Sequence, residues 1–327
     1  MTTLSVYSPK YANGRKTSTG FYDCGILLMR IVTRPDFDGI VCAVLLCEAL
    51  NIKEPVKWVE PNAVQKGLVE IRKGDIIANL PYQDNCTLWF DHHYTNRIYR
   101  SFRGVFRIAP SAAGLIYEHY KDRLKRDYSE LVDATDKIDS ADLTLDQVLN
   151  PEKYGYVLLS MTIFNGDHAS EPYWNRLVAL VGKYDIQQVL DDPEVKQCCE
   201  EVIRQNKEYA VILEENTRLE KNVSITDLRH LSKPPAGNRF LVYSLFPDSY
   251  VNMKIRIEED NGEKITVNLG HSIFNDGCNV NVGLLLTDYG GGGHRGAASA
   301  RFHLSKADEY IPQIIEVLKN NKSNENL

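Results

Sequence analysis

The sequence predicts an α/β protein in which a mainly parallel sheet is joined by a long helix to a smaller α/β unit with a mixed sheet. Three observations predict it. Between Met29 and about residue 190, short apolar runs alternate with helical stretches, the order that crossover connections between parallel strands require. From Pro193 to about Leu219 the chain is charge-rich and only sparsely apolar, which suits a helix bridging two units better than one sunk in a core. Beyond about residue 221 the pattern switches to period-two strands, closed by a glycine run at 290 and a final helix. At 327 residues the chain exceeds what one ordinary core fills, so two units are the natural division.

Taken in order, residues 1–28 are rich in Ser, Thr, Tyr, Gly and Asn without a period and read as a poorly ordered, dispensable tail, with Met29 as a natural start. The first strand is Met29–Val32, and a helix follows from Gly39 to about Leu50. A short strand at Val56–Val59, a helix near Asn62–Arg72, and strands at Asp75–Asn79, Cys86–Phe90 and Gly104–Ile108 come next. Ser111 suits the N-cap of a helix to about Arg123, and Tyr128–Ile138 continues as helix. Helices around Gly155–Phe164 and Tyr173–Leu180 complete the first unit. In the second, strands are expected at Val223–Leu228, Phe240–Leu245, Val251–Ile257 and Ile265–Leu269, with a loop at Lys233–Asn238 and a helix at Lys306–Leu318; residues 321–327 are a tail.

Composition narrows the function. Hydrophobic content of 43% and charged content of 25% are those of an ordinary globular chain, and the net charge of −6 lacks the basic surface that duplex nucleic acid requires. The seven cysteines are odd in number, form no CxxC pair and sit within apolar runs, so they read as reduced thiols of a cytoplasmic protein. No apolar run reaches the ~18–20 residues of a membrane span, and no signal-peptide pattern opens the chain.

Four stretches could carry chemistry. The apolar run ending at Phe90 stops abruptly at Asp91-His92-His93, a carboxylate and two imidazoles at the carboxyl end of a strand, where open α/β sheets place their ligands. The first strand ends in Arg34-Pro35-Asp36-Phe37-Asp38-Gly39. Residues two apart on an extended segment share a side, so Asp36 and Asp38 would present paired carboxylates for a divalent cation, Mg²⁺ or, with an added imidazole, Mn²⁺; the alternative is a helix cap at Asp38. Asp133, Asp136 and Asp139 share a helical face, either solvated or turned into the same crevice. Gly290 to Gly293, followed by His294 and Arg295, lets backbone approach an anion, a phosphate cradle in which Gly291, Gly292, Gly293, His294 and Arg295 bind substrate.

Together, Arg-Pro-Asp-x-Asp-Gly, Asp-His-His, an acidic helix and a C-terminal Gly-Gly-Gly-Gly-His resemble the DHH phosphoesterase superfamily with its DHHA1 domain, and within it the exopolyphosphatase-related, oligoribonuclease-like branch. The resemblance spans residues 29 to 320: a DHH domain at 29–192, a linker helix at 193–220 and a DHHA1 domain at 221–320. It implies a site for one or two Mn²⁺ (or Mg²⁺) ions in a cleft, with Asp36, Asp38, His92 and Asp139 as ligands, Asp136 close behind Asp139, His93 facing the scissile phosphate and Asp91 orienting its neighbours. Two positions depart from the family pattern. Val32 stands where a ligand histidine is usual, and Asn79 where a bridging aspartate is, which points to Asp38, His92 and Asp139 as a single-metal remnant beside Asn79.

The function expected is a Mn²⁺-dependent phosphoesterase that hydrolyses phosphodiester or phosphoanhydride bonds in a small nucleotide, a short single-stranded oligonucleotide or a polyphosphate. The alternative is a nucleotide- or phosphate-binding protein whose degenerate metal site has lost catalysis. The partner is a small anionic phosphate compound and neither a duplex nor a membrane; association as a homodimer is left open.

Overall fold

The computed structural model describes residues 28–163, 170–233, 237–258 and 262–325. Apart from Leu28, the N-terminal segment expected to be dispensable lies outside them. The first sheet holds β1 (Arg30–Thr33), β2 (Lys57–Trp58), β3 (Asp75–Ala78), β4 (Leu88–Asp91) and β5 (Gly104–Phe106) in the order β2-β1-β3-β4-β5. Every pairing in it is parallel. Its strands are buried on both faces, the reason their sequences run apolar without alternation. On one face Ile31, Ile76, Ala78 and Phe90 share a core with α1 (Phe37–Leu50), α3 (Ala112–Tyr120), α4 (Ser129–Asp139), α6 (Gly155–Met161) and α7 (Glu171–Val181). On the other, Val32, Ile77 and Trp89 meet Val59, Val64, Ile71 and Leu80. Val32 is fully buried there, packed as a core residue.

The second sheet is mixed, in the order β10-β11-β9-β8-β7-β6, from β6 (Thr217–Glu220), β7 (Val223–Asp227), β8 (Val251–Ile257), β9 (Lys264–His271), β10 (Gly292–His294) and β11 (Ala297–His303). Only β7 and β8 pair parallel. One face packs on α11 (Val282–Thr287) and α12 (Ala307–Asn320). Between the sheets runs α9 (Pro193–Asn216), 24 residues, capped by Asp192. Its first half buries Val195 and Cys199 in the first core. Its second half packs Tyr209 and Leu213 against Val148 of α5 (Leu145–Leu149) and Leu241 of α10 (Leu241–Leu245).

Four sequence expectations change. The predicted strand at Phe240–Leu245 is α10, since a short apolar run carries no period to separate helix from strand. The helix expected over Asn62–Arg72 is only α2 (Pro61–Gln65), stopped by Gly67 at φ +67°. The helix from Pro193 ends at Asn216, and Thr217–Glu220 is strand β6. Helix α1 begins at Phe37, so Asp36 is its N-cap and Asp38 lies in the first turn, not on an extended segment. Strand β10 and helices α5, α8 (Ile186–Leu190) and α11 were not anticipated. Six cysteines among the described residues carry free thiols. No helix there is long and apolar enough to cross a membrane.

Candidate metal and phosphate site

A sheet ordered 2-1-3-4-5 reverses direction of winding beside β1, and the crevice outside the carboxyl ends of β1, β3 and β4 is where such folds bind ligands. Each of those strands delivers polar residues there: Asp36 after β1, Asn79 after β3, and Asp91, His92 and His93 from β4. Gly39 lets α1 start this tightly, because a β-carbon at that position would collide with the Arg34 carbonyl.

Asp38 is 1% exposed. Its carboxylate accepts the amides of Ala112 (3.0 Å) and Ala113 (2.8 Å) at the N-terminus of α3, whose cap is Ser111. Burial, then the charges of Asp139 and Asp36, push its pKa well up, and the two amides only partly offset them. Asp36 accepts the Gly39 amide at 2.8 Å and the Asn79 side-chain amide at 2.9 Å, with Arg34 at 3.2 Å. Its side chain retains 27% exposure, yet burial first and Asp139 among its neighbours raise its pKa to about 6. Such a collection of carboxylates is unfavourable without a cation.

The histidines divide the work of β4's end. His92 holds its Nδ1 2.9 Å from the Ala109 carbonyl, and a carbonyl only accepts, so Nδ1 carries the proton. Nε2 is then directed between Asp139 (3.3 Å) and Asp38 (3.8 Å), buried and without a hydrogen-bond partner. The ligand atoms of Asp38, His92 and Asp139 lie within 4.8 Å of one another. A lone pair facing two carboxylates fits a divalent cation. Two further buried atoms without partners, Thr33 Oγ1 and Asn79 Oδ1, lie at the same strand ends.

His93 instead turns its Nδ1 to Asp91 Oδ1 at 2.8 Å. Asp91, fully buried, also accepts the His92 amide at 2.9 Å and Asn96 Nδ2 at 2.7 Å, so its oxygens are committed to orienting neighbours. Burial works against a His93 cation, but the Asp91 hydrogen bond and the charges of Asp91 and Asp139 prevail and raise its pKa.

Asp136 is drawn off by Ser111, whose hydroxyl donates to it at 2.5 Å, and Asp133 pairs with Lys137 at the surface; only Asp139 of the acidic helix reaches the crevice. The glycine run packs as β10 against β11. A β-carbon on Gly291 or Gly293 would strike the carbonyls of Ser299 or Ala297, and Gly293 has φ +155°, so these two glycines serve the packing. Gly292 faces open space. His294 is exposed, and Arg295, half-exposed, pairs with Glu325 at 3.2 Å. Among the described residues no hydrogen bond or ion pair joins this run to the Asp/His cluster.

Sequence reasoning missed the supports. Ala109 and Asn96 act through a carbonyl and an amide with no pattern to reveal them, whereas the Ser111 cap did signal the helix start that holds Asp38. Arg239, just ahead of α10, also comes close enough for Asp139 and Asp36 to act on its charge. It helps line a cavity of about 150 Å³ beside Ile138, Met161, Val202, Asn206 and Phe240.

No family model matches the chain, nor does a curated protein. Among solved structures, a pGpG-specific phosphodiesterase, PggH of Vibrio cholerae, is 31% identical, with a TM-score of 0.80 over 90% of this chain and 99% of that one. RecJ of Thermus thermophilus, solved with Mn²⁺, shares the fold at 12% identity and TM-score 0.55, over 90% of this chain and 52% of that one. The DHH domain of a protein described as belonging to a family of ribosomal proteins does so at 12% identity and TM-score 0.54, over 91% and 88%. With the Asp-His-His strand end in place and 31% identity along nearly the whole of PggH, the chain belongs to the DHH phosphoesterase superfamily.

Proposed function

We propose that this protein is a divalent-metal-dependent phosphodiesterase acting on short linear dinucleotides of the pGpG type, in the cytoplasm that its free thiols suit. The observation that carries the reading is His92: a buried imidazole with one nitrogen fixed on a carbonyl and the other unpartnered between Asp38 and Asp139. The specificity named for the 31% identical relative favours pGpG over the polyphosphates of the exopolyphosphatase-related branch. So does the largely apolar cavity lined by Ile138, Met161, Arg239 and Phe240, which suits a nucleobase.

Asp38, His92 and Asp139 would hold one cation, Mn²⁺ or Mg²⁺, with Asn79 Oδ1 and Asp36 at its margin. Such an ion supplies charge that lowers the pKa of water and offsets the phosphoryl oxygens. His93, oriented by Asp91 and biased towards its cation, presents Nε2 to donate to a non-bridging phosphoryl oxygen as water adds to phosphorus and the ester oxygen leaves. Arg34 and Arg239 add positive charge at the rim. Residues 29–192 would act as the metal-holding half, 221–320 as the substrate-gripping half and 193–220 as their link, with Gly292 and His294 rather than Gly291 or Gly293 meeting substrate.

The test is hydrolysis of pGpG, a cyclic dinucleotide, phosphoadenosine phosphate and tripolyphosphate with Mn²⁺, comparing wild type with His92→Ala. Turnover of pGpG that vanishes in the variant is expected. Activity that survives His92→Ala refutes the site, and metal-free nucleotide binding without turnover of any compound supports the alternative of a binding protein.

A further inference from the structure

Beyond α12 the sequence reads as a tail, yet residues 321–325 are fastened to the second unit by polar contacts. Asn321 ends α12 in the left-handed conformation at φ +49°. Its Oδ1 accepts the Asn279 amide at 2.8 Å and its Nδ2 donates to the Gly277 carbonyl at 2.8 Å. Asn324 repeats the device further along, accepting the Asn281 amide at 2.8 Å and donating to the Asn281 carbonyl at 3.1 Å. Glu325 completes it: Oε1 accepts from Asn281 Nδ2 at 3.1 Å and meets Arg295 Nε at 3.2 Å. Lys322, Ser323, Asn324 and Glu325 are all polar or charged, so the segment has no apolar anchor. A stretch held by exposed hydrogen bonds alone opens at low cost.

What the segment holds is the turn between β10 and β11. There the Arg295 carbonyl accepts the Val282 amide at 3.0 Å and the Gly296 carbonyl that of His271 at 2.8 Å, so the backbone of the turn is fixed whether or not the Arg295 side chain is paired. A β-carbon on Gly296 would stand 3.6 Å from the His271 ring, and one on Gly270 would strike the Tyr243 hydroxyl of α10. The turn therefore sits at the end of β9 that abuts α10, and just before α10 Arg239 feels the charges of Asp139 and Asp36. Arg295 is the cation of this turn, and Glu325 already has it. The two side chains keep 50% and 39% exposure, open enough for an arriving anion to exchange with the carboxylate.

We propose that residues 321–325 are an inhibitory strap: Glu325 occupies the Arg295 guanidinium in the free protein, and an anionic nucleotide must displace it to use that charge. This rests on the reading of residues 221–320 as the substrate-gripping half. Because the exchange sets an exposed ion pair against a phosphate contact, the strap weakens binding without abolishing it.

The test uses the full chain with Mn²⁺ and a 5′-phosphorylated diguanosine whose bridging ester oxygen is replaced by methylene, so that calorimetry reads binding without turnover. Glu325→Gln should bind this ligand at least about threefold more tightly than wild type, the scale of an exposed ion pair. Asn324→Ala, which unfastens the segment without changing its charge, should shift binding in the same direction. Arg295→Gln should bind more weakly, and adding Glu325→Gln to it should change nothing further. Unchanged or weaker binding in Glu325→Gln, an equal gain with and without Arg295, or no binding by any variant overturns the strap. Hydrolysis of pGpG by wild type, run alongside, separates the two readings: no turnover sinks the phosphodiesterase assignment whatever the binding shows, whereas turnover with Glu325→Gln binding no tighter than wild type sinks only the strap.

Discussion

The end of β4 and the glycine run of the second sheet differ in how far the packing commits their groups. At β4 almost every polar atom is committed. Asp38 is held by two amides, His92 by a carbonyl, and His93 and Asn96 by Asp91, leaving Nε2 of His92 aimed into a cluster of buried carboxylates. In the glycine run only Gly292 has room to spare: a β-carbon there would meet nothing, whereas on Gly291 or Gly293 it would strike β11. The first arrangement is pre-oriented for chemistry, where small displacements are costly. The second leaves open space at a single backbone position.

That contrast predicts unequal responses. The largest belongs to His92→Ala, expected to lower kcat/KM by more than about 100-fold, since even groups one step removed from a metal typically cost 10- to 100-fold. Calorimetric titration with Mn²⁺ should show the cation site lost in the same variant; unchanged affinity would remove His92 from it. Asp91→Asn comes next, with a fall of about 10- to 100-fold in kcat and little change in KM. Because Asp91 helps raise the pKa of His93, the decline of kcat on the alkaline side should move to lower pH in Asp91→Asn, which a pH–rate profile reads directly.

The glycine run tests the contrast inside one strand. Gly293→Ala meets both a left-handed backbone and the Ala297 carbonyl, and should cost on the order of 1–3 kcal/mol in thermal unfolding. Gly292→Val meets neither, and should raise KM while leaving the melting temperature within about 2 °C, about what a surface substitution allows. Similar melting losses in both would make the whole run structural.

The smallest effect is a pH dependence. Asp36 titrates near 6 in the folded chain, above the ~3.9 of an unfolded aspartate, so the native state holds this proton more tightly. Metal-free protein therefore loses stability as pH rises from about 4 to about 6, by on the order of 1–2 kcal/mol. Asp36→Asn keeps a helix-capping side chain and should abolish that loss, so its melting curve gains on wild type across this window. A gap between the two proteins that stays flat with pH would refute the shift.

Much of the fold was legible because local patterns carried it. The apolar runs of Ile31, Ile76 and Trp89 marked doubly buried strands, and the sparse apolar residues of α9 marked a helix with two attachments. The boundaries that failed were those where local pattern is silent. Phe240 to Leu245 could be strand or helix until Tyr209 and Val148 packed against it. Of the site, the Asp-His-His strand end and the Asp36/Asp38 pair stood out by residue type and position, and the resemblance to the DHH superfamily implied Asp38, His92 and Asp139 among the ligands, but Asp133, Asp136 and Asp139 were equivalent on a helical wheel. Ser111, arriving from another helix, claimed Asp136 and left Asp139 for the crevice.

By itself the sequence determined the class of fold and the polar residues that end its strands, since these follow from residue type, spacing and period, while the resemblance to the DHH superfamily marked the departures at Val32 and Asn79. The tertiary structure decided which polar groups face one another across the chain: Ala109 fixing the His92 proton, Asn79 donating to Asp36 and Glu325 meeting Arg295. The physical reason is range. Period and propensity act over a few neighbouring residues, whereas a proton's location and a cation's partner depend on groups brought together only by the packing of strands and helices far apart in sequence.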